Sequence, residues 1–392
     1  MLNLKNIDLQ GKKVIVRCDF NVALDEDGEI SDDFRIKKSI PTIEYLKDKA
    51  DAVILISHLG HKPEPFDPKF SLAKVAKRLS ELMEQPINFL SDPIGPELNK
   101  KIDNSSKGQI FLLENLRFNK GEKDNDPEFA KKIASLGDVF VQDGFGVCHR
   151  SHASTYGVPQ LLPSCPGFLL QEEMDVLDKA LNNPAKPLVA IIGGVKISTK
   201  TKLIQKLLEK ADNILVGGKI ANSILVVKGF CIKDKWTEEE DKLMQLIDMV
   251  DLTNPKLHLP VDGLMALSDL SEGYLRVGAV GTVKKEEDIF DIGPETIEKY
   301  KDILKEAKTI IWNGPLGYYE DDDFRKGTNE ILKAISESDA YSIMGGGDTA
   351  DIIHQLKMED SFDYISTGGG AMLDYISGEE MPGIEALEKS IN

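Results

Sequence analysis

Cysteine is scarce and dispersed in this 392-residue chain: Cys18, Cys148, Cys165 and Cys231 form no CxxC pair. That spacing supports neither a disulfide frame nor a thiolate metal site, so reduced, buried thiols are expected. No apolar run reaches the ~20 residues of a membrane-spanning helix. The stretch MLNLKNIDLQGKK at the start lacks the apolar core of a signal peptide. The expectation is a cytoplasmic protein with no membrane partner. Positive charge is outweighed, 48 Lys and Arg against 66 Asp and Glu, for a net charge of −18. A general nucleic-acid binder would show the opposite balance. Also absent are GxxxxGK[ST], a GxGxxG after the first strand, and GxSxG. Their absence removes the P-loop reading, weakens a dinucleotide dehydrogenase and removes the hydrolase elbow.

What is present is a globular composition, 41% hydrophobic and 29% charged. At about 100–200 residues per domain, two domains are expected. In the first half the patterning predicts strands at 13–20, 52–57, 110–115 and 139–143, and helices at 37–49, 71–84 and 126–136. Ser71 and Asp126 are the expected N-caps, and Pro127 suits a first helical turn. Strands separated by helices imply parallel pairing with right-handed crossovers. The texture changes at GVPQLLPSCPGFLL (157–170), which holds three prolines and precedes a helical stretch at 171–183 that reads as a connector. The boundary is placed there. One domain covers 1–168, with the short tail 377–392 docking back on it, and the second covers 169–376. Helices are predicted in the second half at 198–210, 238–250, 294–307, 323–338 and 348–357. The fold class is α/β, each half a doubly wound parallel sheet, in which ligands sit at the carboxyl ends of the strands.

Residues able to hold an anion recur at those ends. RCDFNVALD (17–25) brings Arg17, Asp19 and Asn21 after the first strand, although an Asx-rich loop capping a strand would read the same way. Arg35 opens the helix that follows and could equally pair with Asp32 or Asp33. SHLGHKP (57–63) places His58, Leu59, Gly60 and His61 after the second strand; two histidines without further ligands nearby are a poor metal site. Arg117 follows the next strand in ENLRF, and His149, Arg150 and His152 follow the last in DGFGVCHRSH. Scattered surface charge has no reason to follow strand ends, and the planar guanidinium suits phosphate.

The second half carries five apolar runs that end in glycine: PLVAIIGGVK, NILVGGK, TIIWNGPLG, YSIMGGGDTAD and YISTGGGAM. Strand, glycine turn, helix is the geometry in which backbone N–H groups face a phosphate, so a nucleotide is the first expectation. Lys196 and Lys200 lie four apart after the first of these turns, with Ser198 as a possible cap. Asp348 and Thr349 stand at a helix start, where Asp348 could cap the helix or meet Mg²⁺ on a nucleotide. Glu320, in NGPLGYYE, could meet ribose hydroxyls.

Taken in order, RCDFNV, SHLG, ENLRF, DGFGVCHRSH, GGVK, WNGPLG, GGGDT and STGGGA resemble the phosphoglycerate kinase family over nearly the whole chain. The resemblance implies two Rossmann-like domains joined by a hinge helix, the first holding 3-phosphoglycerate or 1,3-bisphosphoglycerate and the second Mg²⁺ with ADP or ATP. By motif, Arg17, Asp19, Asn21, Arg35, His58, Leu59, Gly60, His61, Arg117, His149 and Arg150 become the substrate set. Gly193, Gly194, Lys196, Lys200, Gly217, Gly218, Gly293, Asn313, Pro315, Glu320, Gly346, Gly347, Asp348 and Thr349 become the nucleotide set, with Asp348 at the metal and Arg35 and Lys196 as the catalytic pair. The family is commonly monomeric. Some positions depart from its pattern: His61 replaces arginine, with Lys62 following; Ala23 replaces proline; Gly144 and Val195 replace alanines; and Lys219 replaces a small residue. The departures at His61 and Lys219 motivate an alternative, a two-domain nucleotide- or phosphate-binding protein without turnover.

Overall fold

Val14, Ile15 and Val16 are fully buried in β1 (Lys13–Arg17), as is every residue of β2 (Ala52–Ile56). Runs buried on both faces belong inside a parallel sheet covered by helices. The computed structural model describes all residues except 62, 65, 92–93, 196–199, 231–250, 271–272 and 391–392. Among these it shows two compact units, Met1–Val176 with Glu380–Asn392, and Leu177–Glu379.

The first unit is built on a six-stranded parallel sheet that adds β3 (Asn88–Leu90), β4 (Gln109–Leu113), β5 (Val139–Gln142) and β6 (Ser164–Pro166), in the order β3-β4-β2-β1-β5-β6. β1 lies between β2 and β5 with Val14 opposite both Val53 and Val139. Strand β1 ends at Arg17, short of the predicted residue 20, because Phe20 N–H leaves the ladder for Ser57 Oγ at 2.9 Å. Helices Phe34–Lys49, Ala73–Leu82 and Pro127–Ala134 fall in the predicted places. Asp126 caps the last of them, accepting from Phe129 N–H at 2.7 Å. Ser71 lies one residue before the N-cap Leu72 and divides its hydroxyl between Ala73 N–H and the Glu114 carboxylate. Helix Pro382–Glu388 belongs to this unit: Ile384, Ala386 and Leu387 are buried, and Gly383 N–H donates to Cys148 O at 2.8 Å. Cys18, Cys148 and Cys165 are buried free thiols, and Cys231 lies outside the described residues.

The second unit has its own six-stranded parallel sheet, from β7 (Leu188–Ile192), β8 (Asn213–Val216), β9 (Leu257–His258), β13 (Thr309–Asn313), β14 (Tyr341–Gly345) and β15 (Tyr364–Ile365), ordered β15-β14-β13-β7-β8-β9. Its helices include Thr201–Lys210, Gly218–Val227, Pro294–Lys305, Lys326–Ser336 and Gly347–Gln355. The helix predicted at 238–250 lies outside the described residues. Strands β10 (Asp262–Leu267), β11 (Leu275–Ala279) and β12 (Glu287–Ile292) form an antiparallel sheet in the order β11-β10-β12, which the sequence patterning does not predict. No described helix is long and apolar enough to cross a membrane.

Candidate active site

Because the strands of the first sheet run parallel, the segments after β1, β2, β4 and β5 leave the same edge. Arg17 ends β1 almost fully buried. Its Nε donates to Ser154 Oγ at 2.7 Å, one Nη donates to Cys18 O, and Nη2 stands 3.2 Å from His58 Nδ1. Ser154 Oγ donates to Glu122 Oε1 at 2.6 Å, and Glu122 is fully buried. Arg17 is thus locked by internal partners and supplies field to the site rather than a free fork. Arg35, a quarter exposed, donates from Nη1 to Asn21 O at 2.9 Å and lies 3.2 Å from Asp19 Oδ2. Asn21 Oδ1 accepts from Gly60 N–H at 2.8 Å, which ties the first loop to the second.

Gly60 has φ +80°, and a Cβ there would lie 2.6 Å from the Phe70 ring, so only glycine lets the loop turn. Arg117 Nη1 donates to Gly60 O at 2.5 Å and reaches His61 O at 3.4 Å, while its Nε is a buried donor with no partner among the described residues. His61 itself is exposed. Asn115 holds this corner, donating to Leu59 O and Phe70 O and accepting from Arg117 N–H. Arg150 Nε donates to His149 Nε2 at 3.0 Å.

The charge balance is unusual for an acidic chain. His58 is pushed well below its ordinary pKa by burial and then by Arg17, Arg117, Arg35 and Arg150. Burial and Arg150 lower His149 to about 4; burial with Arg117, Arg17 and Arg150 lowers His152 to about 3. Arg117 is itself lowered to about 10 by burial and its cationic neighbours. Four arginines around neutral imidazoles make a sheet edge that favours an anion.

The second edge is assembled differently. Gly193 N–H donates to Asn313 O, Gly194 N–H to Pro315 O, Gly217 N–H to Ile192 O and Gly218 N–H to Leu316 O, all at 2.8–2.9 Å. These donors, expected to face phosphate, are spent joining the turns after β7, β8 and β13. The glycines are needed for contact: a Cβ on Gly193 would lie 2.0 Å from Pro315 O. The helix start after β14 differs. Gly346 turns with φ +101° into helix Gly347–Gln355, no side chain among the described residues caps that helix, and its first N–H groups have no intrahelical acceptor. Thr349 Oγ1 faces back instead, accepting from Gly314 N–H at 2.8 Å.

Lys200 is buried beside this turn, donating to Gly193 O at 2.6 Å and Asn313 Oδ1 at 3.0 Å; burial lowers it to about 8, and Asp348 opposes the shift. Asn313 Nδ2 is buried and unpartnered among the described residues. Gly293 precedes helix Pro294–Lys305, whose first turn is capped by Asp262 through Glu295 N–H and Thr296 N–H. Leu316 N–H bonds Thr328 Oγ1, and Tyr318 N–H bonds Phe290 O, fixing the loop that carries the exposed Glu320. Lys219 is exposed on the first turn of Gly218–Val227. Lys196 and Ser198 lie outside the described residues.

Asp348 is an exposed lone carboxylate beside the uncapped helix start, and no cluster of three or more His, Cys, Asp or Glu able to hold a metal occurs among the described residues. That donor set fits Mg²⁺ carried chiefly by phosphate oxygens, which needs only one or two protein carboxylates. Sequence patterning missed the buried Ser154–Glu122 pair under Arg17 and the Asn115 bracket; ENLRF contained the second, but nothing in spacing points to the first.

A family model for phosphoglycerate kinase matches residues 4–379. The chain is 44% identical over 392 residues to the phosphoglycerate kinase of Dictyoglomus turgidum, covering 99% of this chain and 98% of that one. To that of Aquifex aeolicus it is 42% identical, covering 98% of each. Among solved structures it matches phosphoglycerate kinase from Coxiella burnetii (39% identity, TM-score 0.83, 99% of both chains) and from Pyrococcus horikoshii (32%, 0.86, 99% of both). With two parallel-sheet units, arginines gathered on one sheet edge and an uncapped glycine turn on the other, the chain belongs to the phosphoglycerate kinase family.

Proposed function

We propose that the first unit receives the phosphoglycerate and the second the Mg²⁺-nucleotide, for the reversible reaction of 1,3-bisphosphoglycerate with ADP to give 3-phosphoglycerate and ATP in glycolysis. The observation that carries the assignment is the grouping of Arg17, Arg35, Arg117 and Arg150 around a neutral His58 in a chain of net charge −18. Asp19 and Asn21 suit the glycerate hydroxyl and carboxyl; Arg117 and Arg150 suit the phosphate that stays on the substrate. Lys200, the open N–H groups at 347–349 and Glu320 suit the nucleotide's phosphates and ribose.

The chemistry asks little of the protein beyond alignment and charge. A β-phosphate oxygen of ADP attacks the acyl phosphorus, the P–O bond to the carboxyl breaks, and the carboxylate leaves with its electron pair. Both oxygens are already anionic, so no general base or covalent nucleophile is needed. Arg35 would offset charge on the transferring group. Lys196 is paired with it on the motif alone. Asp348 would hold Mg²⁺, which when bound neutralises nucleotide charge. Because each substrate is assigned to a different unit, transfer needs a hinge closure that also excludes water from the acyl phosphate. The same reading takes the chain as a cytoplasmic monomer.

No observation favours binding without turnover: Arg35 keeps its contacts to Asp19 and Asn21. A coupled assay with ADP and 1,3-bisphosphoglycerate tests the proposal, and repetition with GDP reads the nucleotide preference. Tight binding of both substrates with no product formed would overturn it.

A further inference from the structure

Asp143, just past β5, sits where three elements of the first unit meet. Its Oδ1 accepts from Thr42 Oγ1 at 2.7 Å and from Leu169 N–H at 3.1 Å. Thr42 Oγ1 in turn accepts from Phe168 N–H at 3.0 Å. The first two N–H groups of helix Phe168–Asn182, which helix geometry leaves without internal partners, therefore end on Thr42 and Asp143. Both side chains are fully buried, and a Cβ on Gly167 would lie 2.1 Å from Asp143 Oδ1. The joint has no slack. The division between the two units falls inside this same helix, after Val176.

Thr42 belongs to helix Phe34–Lys49, whose second residue is Arg35. Seven residues make two turns with a drift of about 20°, so Arg35 and Thr42 share one stripe, with Ser39 between them reaching Arg35 O at 3.4 Å. One end of the stripe offers Arg35 to Asp19 and Asn21. The other, about 10 Å along the axis, fastens the connector helix. Pro41 removes a rung of the ladder between them, so side-chain anchors carry more of the alignment.

We propose that Thr42 and Asp143 are positioning residues for phosphoryl transfer: they fasten the start of helix Phe168–Asn182 to the helical stripe that presents Arg35. The inference rests on Arg35 being the transfer residue. It requires a side chain at position 42 that donates and accepts at once, which a hydroxyl does and a methyl does not.

The test uses the full chain and measures kcat, KM for each substrate and Tm for Thr42→Val, Thr42→Ser and Arg35→Ala. Thr42→Val is expected to lower kcat about tenfold or more, with KM for ADP held within about twofold. Thr42→Ser, which keeps the hydroxyl, is expected to retain the wild-type kcat. Should the valine variant not fold, Thr42→Ala, favoured by helix propensity, takes its place with the same expectation. A wild-type kcat in the variant lacking the hydroxyl, whatever its Tm, overturns the proposal, as does a serine variant as slow as the valine one. Arg35→Ala separates the two levels: if it keeps its kcat, the reading of Arg35 fails first; if it is slow while Thr42→Val is fast, only the joint fails.

Discussion

Arg17 Nη2 stands 3.2 Å from His58 Nδ1, and both side chains are sealed from solvent. A guanidinium has no acceptor, so Nδ1 must accept, and the imidazole is neutral with its proton on Nε2. Nitrogen NMR should show that tautomer and no titration of His58 between pH 6 and 8 in the free protein, at about the physiological range. Binding 3-phosphoglycerate offsets the arginine field and should raise the pKa. Protonation of free His58 near pH 6.5 would contradict the geometry.

The histidines also set an acid limit. His149 and His152 are held at about 4 and about 3 in the folded chain, against about 6.5 unfolded. The unfolded chain therefore binds protons first, and stability falls as pH drops from about 6.5 toward 4. Asp143 and Asp291, raised to about 7 by burial, pull the other way over the same range. The difference between wild type and a His149→Gln, His152→Gln double variant isolates the first effect. Its Tm should fall less between pH 7 and pH 5 than that of the wild type.

Arg35→Ala should lower kcat on the order of 100-fold or more while leaving nucleotide affinity unchanged, because the Arg35 contacts lie wholly in the first unit. Steady-state kinetics beside calorimetric ADP binding checks both halves. An equal loss of nucleotide affinity would remove Arg35 from the role given to it.

Lys200 deprotonates at about 8, and burial is the cause. An anionic nucleotide prefers the charged form, so ADP affinity should weaken as pH rises through that value and strengthen below it. The slope should vanish in Lys200→Met, whose affinity is lower throughout. Calorimetry from pH 6.5 to 9.5, about 1.5 units either side of the shifted value, would reveal a flat wild-type profile if Lys200 did not meet the nucleotide.

Gly346→Ala places a Cβ at φ +101°, 3.2 Å from Asn313 Nδ2. With ψ at 137° the residue lies outside the left-handed helical region; the backbone strain is about 1–3 kcal/mol, and relief would turn the N–H groups of 347–349 away. Nucleotide binding should weaken while 3-phosphoglycerate binding to the first unit is unaffected. Loss of both would place the damage in folding rather than in the turn.

The parallel strands were legible because burial on both faces leaves unbroken apolar runs such as AVILI and LVAII. Strands β3 and β6, three residues each, are too short to show a period. The antiparallel sheet escaped notice because β11 alternates exposed and half-buried residues and β12 reads as acidic. At the site, arginines after strand ends were readable as a pattern. Which glycine N–H groups remain open was not, since Gly193 and Gly194 meet acceptors more than a hundred residues away at Asn313 and Pro315. Glu122 beneath Ser154 is equally hidden: a buried carboxylate behind a serine leaves no trace in spacing.

Helix Pro382–Glu388, with its bond from Gly383 to Cys148, supplies part of the first unit from beyond the whole of the second. During translation the segment next to His149 and Arg150 must therefore wait, unfinished, while some two hundred intervening residues are made. A nascent chain halted before residue 382 would leave Cys148 O, next to His149 and Arg150 in sequence, without its Gly383 donor, so this corner of the first unit is completed only after the last strand of the second has left the ribosome.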